Sequence, residues 1–362
     1  MIKFISKTAF FIVPFFLLYI IKFLFLSENT GDLLRIGLLP GIDKEYRQKI
    51  ISSGNKMMFD ELSTSKDKTY KILTIGDSFS EQGKDGYQNF LVNDFSVLHI
   101  NRFISNFNQI QKLIELCQGD FFDTYKIQYV VLEGVERHLI DNIKNINNKG
   151  KIDIKQIDSL IINHTTPKDK EEDNFFSSTI FKFPYSALKY YTDKNYISNK
   201  QVFVFELNTR LLFSNNSNEL LFYNLDFDKT KQNNVAENAT KLNDILNNLS
   251  DKLKEKNIKL IFLPCPDKYS LYYDYILDKK SLLKPVFFDN FKKLNKKYLY
   301  IDSKEVLSEQ LNTKKDLYYF DDSHWSPVAS ELVAKKIKEA IMLEKQSEIV
   351  QQDITEKVVE RL

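Results

Sequence analysis

Two hydrophobic patterns divide the chain. Residues 1–26 hold one nearly unbroken apolar block, whereas from Thr69 onward short apolar runs alternate with amphipathic stretches. In the first block, Thr8–Ile21 (TAFFIVPFFLLYII) is uncharged, Lys22 interrupts it, and FLFL follows. Thr8–Leu26 counts 19 residues, about 28 Å of helix at ~1.5 Å per residue, close to a hydrocarbon core of ~30 Å. Lys22 lies near the far end, from where its ammonium can reach the interface. The residues that follow, FLFLSENTGD, offer no small-residue cleavage site, so the block predicts an uncleaved anchor rather than a signal peptide. Lys3 and Lys7 precede the block and Glu28 and Asp32 follow it, which orients the N-terminus to the cytoplasm and the remainder outside, periplasmic or extracellular. One span anchors a protein; it forms no transport path.

The second pattern predicts strands at Lys71–Ile75, Ser96–Ile100, Ile127–Glu133, Ile258–Leu263 and Tyr298–Ile301. Between and after them fall helical stretches at Tyr87–Asn93, Ile104–Leu116, Ala236–Lys254, Val286–Leu294 and Pro327–Leu343. Such alternation is the signature of a parallel sheet covered by helices. The last helix has Ser326 as its N-cap, Pro327 at its first position, and an apolar stripe of Ala329, Val333, Ile337 and Ile341. Residues 27–68 form a juxtamembrane segment with little pattern: Leu34–Pro40 is mostly apolar, Lys44–Ile51 helical, and Ser63–Lys68 a polar linker. The core then occupies 69–345, followed by a charged tail at 346–362. Residues 140–235 break the alternation. Asp141–Asp173 is rich in Asn, Lys and Asp, and Gln201–Asp228 carries two β-like runs, VFVFEL and LLFYNLDF, around a turn-forming SNNSN. This is an insertion between the third and fourth core strands that either caps the site or binds substrate, or only decorates the edge.

Composition narrows the picture further. The 362 residues suit one large or two small domains, and the 29 Phe and 19 Tyr supply core material. A net charge of +2 implies no polyanionic partner, and nothing resembles a nucleic-acid-binding stripe. Cys117 and Cys265 form no CxxC; they are free thiols or, in an oxidising compartment, a disulfide. No metal-ligand spacing and no phosphate-binding loop occurs (GIDK at Gly41–Lys44 lacks the rest of the pattern), so neither metal nor cofactor is expected.

Two stretches carry candidate chemistry. Ile72–Ser80, ILTIGDSFS, is an apolar strand that stops at Gly76 and delivers Ser78 to the rim of a parallel sheet, where α/β active sites gather. Gly76 permits a sharp turn, and the amides beyond it can hold an oxyanion. Tyr318–Pro327, YYFDDSHWSP, holds His324, one of four histidines, and Trp325, the only tryptophan. A weakly nucleophilic serine needs a base, and the base an orienting carboxylate. Asp322 and Asp321 stand two and three residues before His324.

GDSF near the start of the core and DSHW near its end resemble the SGNH (GDSL) hydrolase superfamily, in the branch of the alginate O-acetylation proteins and related cell-surface polysaccharide acetyltransferases. Val130–Leu139 (VVLEGVERHL) and Leu263–Tyr272 (LPCPDKYSLY) are similar to further pieces of that branch, and the matches spread over roughly Thr69–Ile341. The resemblance implies a three-layer α/β/α sandwich with a mainly parallel sheet, here preceded by one N-terminal transmembrane helix. It implies Ser78 as nucleophile and His324 as base and acid. Asp321 would be the orienting carboxylate in the D-x-x-H form of ordinary esterases, and Asp322 in the alginate-type form that Trp325 favours. The esterase G-x-N-D block is replaced by Gly134-Val135-Glu136-Arg137, so oxyanion binding falls to backbone N–H groups, that of Ser78 among them. Asp77, Arg137, Lys268 and Trp325 are candidates to line a substrate site: Arg137 on an anionic sugar unless it pairs with Glu136 or Asp77, and Trp325 as a sugar-stacking face unless it lies in the core. The implied activity is O-acetyl transfer to an extracytoplasmic polysaccharide, with a multi-span membrane-bound O-acyltransferase as partner. The alternatives are a carbohydrate O-acetylesterase using the same triad, and a non-catalytic polysaccharide-binding or assembly protein.

Overall fold

Strands buried on both faces need apolar side chains on both, and runs such as ILTI, YVVL and LIFL meet that need. The computed structural model describes residues 2–25, 31–37, 39, 44–50, 57–165, 192, 197–198 and 201–359. Its strands are β1 (Asp60–Glu61), β2 (Thr69–Ile75), β3 (Val97–Ile100), β4 (Lys126–Val135), β5 (Ile197–Ser198), β6 (Val202–Glu206), β7 (Glu219–Tyr223), β8 (Lys259–Cys265) and β9 (Leu299–Tyr300). Six form one sheet in the order β1-β3-β2-β4-β8-β9, with every pairing parallel. All five expected strands are present in it. The two-residue edge strand β1 lies in the juxtamembrane segment 27–68, just before the polar linker Ser63–Lys68, where the sequence predicts no strand.

The period of two along each strand splits its residues between two cores. Ile72, Val131, Ile261 and Leu263 face one apolar cluster, which includes the final helix. Leu73, Ile75, Val130, Leu132, Leu260 and Phe262 face the other, against helices Gln109–Gln118, Ala236–Glu255 and Phe287–Lys292. Helices on both faces of a parallel sheet make the three-layer α/β/α sandwich. Chain order and strand order part at β2, which lies between β3 and β4. An open α/β sheet has its crevice at such a switch point, beyond the carboxyl ends of the strands.

The final helix runs Pro327–Val359, well past the expected Leu343. Ser326 Oγ accepts from Val328 N at 3.1 Å, and Ala329, Val333, Ile337 and Ile341 are fully buried, as the stripe predicts. In the insertion, β6 pairs antiparallel with both β5 and β7 in a second, three-stranded sheet. Val202, Val204 and Leu220–Phe222 of that sheet join the cluster beneath the final helix. Beyond Thr165, the polar stretch expected through Asp173 lies outside the described residues. Cys117 and Cys265 are both buried and unbonded.

Residues Ile2–Phe25 form one 24-residue helix containing Pro14. The side chains at 18, 19 and 21–25 lie outside the described residues, as does Leu26 at the end of the expected anchor. Among the described residues, no helix is long and apolar enough to cross a membrane. The anchor therefore rests on the sequence pattern alone. The segment that follows is more than a linker. Leu33, Leu34, Leu39, Tyr46 and Ile50 are buried in the same core as the final helix.

Trp325 is fully buried, its ring edge-on to Phe79 at 5.2 Å and to Tyr87 at 6.4 Å between centroids. Its face is not open to a sugar, which corrects the stacking expectation in favour of a core role. Trp325→Ala should lower the unfolding free energy by about 3–5 kcal/mol, the usual cost of deleting a large buried ring. Denaturant titration checks this; a loss under about 1 kcal/mol would contradict a core role.

Candidate active site

The turn after β2 is held from beneath. Asp77 accepts from Phe79 N at 3.0 Å through one carboxylate oxygen and from Val135 N at 2.8 Å through the other. Its own N–H donates to Glu133 at 2.9 Å, and Glu133 also accepts from Ser80 Oγ at 2.8 Å and Cys265 Sγ at 3.1 Å. Burial, then the charge of Asp77, pushes the Glu133 carboxyl well above its ordinary range. A side chain at Gly76 would collide with Glu133 and Ser80, so only glycine lets the turn sit this close to β4. Both carboxylate oxygens of Asp77 are thus engaged in holding the turn that carries Ser78.

His324 Nε2 lies 2.8 Å from Ser78 Oγ, and His324 Nδ1 lies 2.6 Å from Asp322 Oδ1. The three side chains form one hydrogen-bonded chain from carboxylate through imidazole to hydroxyl. Asp322 also accepts from its neighbour His324 N at 3.1 Å, from Arg47 Nη2 at 2.7 Å and from Asp32 N at 3.3 Å. Burial alone would raise Asp322, but the bond and charge of His324 and the charge of Arg47 outweigh it and hold the carboxyl well below its usual range. For His324, burial disfavours the charged ring; Asp322 outweighs this, Asp32 adds to it, and the ring ends above its ordinary value.

Asp321 belongs to another arrangement. It is buried, accepts from Arg47 Nε at 3.0 Å and from Gly31 N at 2.9 Å, and does not solvate the loop as a spare carboxylate would. Arg47 therefore bridges both aspartates, and its guanidinium stacks 4.6 Å over Tyr319. Asp32 receives Ser323 N at 2.7 Å and Ser323 Oγ at 2.5 Å. Tyr46 OH donates to Asp316 at 2.9 Å and accepts from Phe320 N at 2.8 Å. The donor atoms of Asp32, Asp322 and His324 fall within 4.8 Å of one another, but all are engaged in these bonds, the arrangement of an oriented base rather than a metal centre.

Lys268 and Arg137 are buried and do not line the site. Lys268 Nζ donates to Tyr319 O at 2.7 Å, Phe320 O at 2.8 Å and Asp322 O at 3.1 Å. These three bonds use all its donors and fix the backbone that presents Asp322 and His324. Burial pulls its ammonium down to about 8. Arg137 pairs with Asp267 at 2.7 Å and Asp226 at 3.3 Å, neither of them the Glu136 or Asp77 that the sequence suggests. Glu136 instead accepts from Asp267 N at 3.1 Å.

A cavity of about 410 Å³ opens on this chain, lined by Arg47, Ser78, Glu81, Gln82, Asp85, Arg102, Tyr319 and His324. Arg47, Asp32, Gln82 and Arg102 were not legible as site residues. Gln82, four residues past Ser78 in the GDSFSEQG turn, was the one within reach of motif reasoning. Its buried amide nitrogen has no acceptor among the described residues.

A serine–histidine–carboxylate chain at the switch point of a parallel α/β sheet is the arrangement of serine-based acyl-transfer chemistry. Residues 217–362 match the family model described as the SGNH hydrolase-like domain of the acetyltransferase AlgX, the branch that the GDSF and DSHW motifs resemble. The match includes Lys268, Asp322 and His324, begins after Ser78, and supports a polysaccharide acetyltransferase or esterase class. No curated protein matches the chain.

The ionisation of His324 separates the two aspartates. In NMR titration His324 should titrate above the ordinary histidine value of ~6.5. Asp322→Asn removes the interactions that raise it, so the midpoint should move down. Asp321→Asn should move it less, because Asp321 does not touch the ring. The reverse ranking would contradict the observed pairing.

Proposed function

We propose that the chain is an O-acetyltransferase that modifies an extracytoplasmic polysaccharide through an acyl-serine intermediate. The observation that carries the reading is the hydrogen-bonded chain Asp322–His324–Ser78 at the floor of a cavity. Ser78 Oγ attacks the acetyl carbonyl of the donor while its proton passes to His324 Nε2. The tetrahedral intermediate collapses, His324 returns the proton to the leaving group, and acetyl-Ser78 remains. A sugar hydroxyl then gives its proton to His324 and attacks the acyl-serine, and Ser78 leaves with that proton. Asp322 keeps Nδ1 protonated and stabilises the imidazolium.

The oxyanion falls to the Ser78 N–H and the Gln82 amide, whose nitrogen has no acceptor among the described residues and which lines the cavity with Ser78; Val135 N at the end of β4 is already bonded to Asp77. The apolar N-terminal block serves as the anchor of a periplasmic or extracellular domain. A multi-span membrane-bound O-acyltransferase would bring the acyl group across the bilayer, which one span cannot do. The esterase reading has one observation in its favour: the His324 side chain is 23% exposed, so water can reach the base.

Ser78→Ala and His324→Ala should each abolish release of acetate from an activated acetyl ester, and the double variant should lose little more, since the two act as a unit. Retained turnover in Ser78→Ala overturns the reading. Gln82→Ala should lower kcat by roughly 10²-fold with little change in KM, the cost of removing one oxyanion donor. Transfer and hydrolysis separate by mass spectrometry: a transferase gives an oligosaccharide heavier by one acetyl group per modified site, and an esterase only strips acetyl from an acetylated glycan.

A further inference from the structure

A short stretch of chain joins the catalytic loop to the N-terminal apolar block. That block ends at Leu26, and Ser27, Glu28 and Asn29 are the first polar residues beyond it. Its helix ends at Phe25, and Gly31 is already bound to the catalytic loop: Gly31 N donates to Asp321 Oδ2 at 2.9 Å. Asp32 N donates to Asp322 Oδ2 at 3.3 Å, and Asp32 Oδ2 lies 3.7 Å from His324 Nδ1. Leu33 N donates to Asp321 O at 3.2 Å, and Leu33 and Leu34 are buried in the core. From Phe25 to Gly31 the chain reaches at most about 21 Å, at ~3.5 Å per residue when fully extended.

Strand direction turns this reach into an orientation. Ser78 follows the carboxyl end of β2 and meets His324 there, so Gly31 lies at the carboxyl edge of the parallel sheet. β4 has ten residues, which at ~3.3 Å each set the amino edge about 30 Å away. Asp123, just ahead of β4, marks that far edge, its side chain 71% exposed. A domain standing on its amino edge would put the length of the sheet between Gly31 and the bilayer, more than the tether reaches.

We propose that the carboxyl edge of the sheet faces the outer surface of the bilayer, so that Ser78 takes its acetyl group from a donor held at that surface. The orientation rests on the reading of the N-terminal block as an anchor and is independent of the acyl-serine chemistry. The effective concentration of a tethered partner falls roughly as the −3/2 power of tether length, so a short tether favours a membrane-held donor over a dissolved one. In the transfer, Ser78 Oγ attacks the acetyl carbonyl of that donor and His324 takes the proton. His324 then gives it to the leaving oxygen, which stays with the membrane-held carrier. Acetyl-Ser78 remains for a sugar hydroxyl or, where no sugar is present, for water.

The test uses the full chain reconstituted in phosphatidylcholine vesicles. A fluorophore is placed on Lys84→Cys, exposed between the cavity-lining Gln82 and Asp85, or on Asp123→Cys. Energy transfer to a rhodamine-headgroup lipid reads the distance of each from the bilayer. Cys117 and Cys265 are buried, and the chain without an added cysteine supplies the blank. The label at 84 should lie nearer the bilayer than the label at 123 by roughly 20–30 Å. Equal distances, or residue 123 the nearer, overturn the orientation. In a second arm, a Gly-Ser spacer of about twenty residues between Glu28 and Asn29 lengthens the tether roughly fivefold and leaves every site residue in place. The probes are the acetyl ester of an umbelliferone attached to a lipid headgroup, and soluble umbelliferyl acetate. The spacer should lower kcat/KM on the lipid-held ester about tenfold and leave the soluble ester unchanged. Undiminished turnover of the lipid-held ester overturns the membrane-held donor. Release of the chain from the vesicles by alkaline carbonate overturns the anchor, and the orientation with it. Activity surviving in Ser78→Ala would instead overturn the acyl-serine reading and leave the measured distances standing.

Discussion

One buried ammonium organises the catalytic end of the molecule. Lys268 sits fully buried at the start of the helix after β8 and gives its three N–H donors to the carbonyls of Tyr319, Phe320 and Asp322. A buried charge carries a large desolvation cost, offset only when its donors are satisfied and opposite charges lie near. Both conditions hold here: the carbonyls converge on Nζ, and the carboxylates of Asp321, Asp322 and Asp32 favour its charged form. The loop cannot shift without leaving the ammonium unpaired, so this buried charge fixes the backbone from which His324 reaches Ser78.

The two adjacent aspartates on that loop divide the work because their side chains leave the backbone in different directions. Asp322 turns to the imidazole. Asp321 turns to Gly31 and Arg47 and ties down the segment between the N-terminal helix and the core. Arg47 touches both carboxylates, so the segment that follows the N-terminal helix also borders the Asp322–His324 bond. Gly31 is needed there, since a side chain would collide with the Asp321 backbone and with Arg47. The base is therefore oriented from two sides, by Lys268 through the backbone and by the 31–47 segment through the side chains.

Periodicity explains which parts of this were legible. Runs of β-formers and a four-residue apolar stripe depend on neighbours in sequence, and all five core strands and the stripe of the final helix could be read from them. The GDSF and DSHW motifs placed Ser78, His324 and Asp322 for the same reason, since each motif is a local turn. Arg47 and Asp32 could not be read this way. Their partners lie more than 270 positions away, and nothing near them in sequence marks a pairing. Trp325, Arg137, Lys268 and Asp77 were read as substrate-facing because polar and aromatic residues beside a motif suggest contact with a ligand. Burial decided otherwise for Trp325, Arg137 and Lys268, and two backbone N–H groups claim the Asp77 carboxylate; both are properties of the assembled layers.

The insertion can now be placed on the same physical footing. Among the described residues, none from 140–235 lines the cavity. Its contacts run instead to the back of the Lys268 helix. Phe222 of β7 packs at 5.0 Å on Tyr269, Phe227 at 5.7 Å on the same ring, and Asp226 joins Asp267 in holding Arg137. Burial pushes Asp226 up to about 6 even against the favourable charge of Arg137. The described part of the insertion acts as a buttress. It presses on Tyr269, the neighbour of Lys268, and so supports from behind the ammonium that fixes the catalytic loop in front. That leaves the cavity wall to the loops after β2 and β3, to Arg47, and to Tyr319 and His324 of the loop before the final helix.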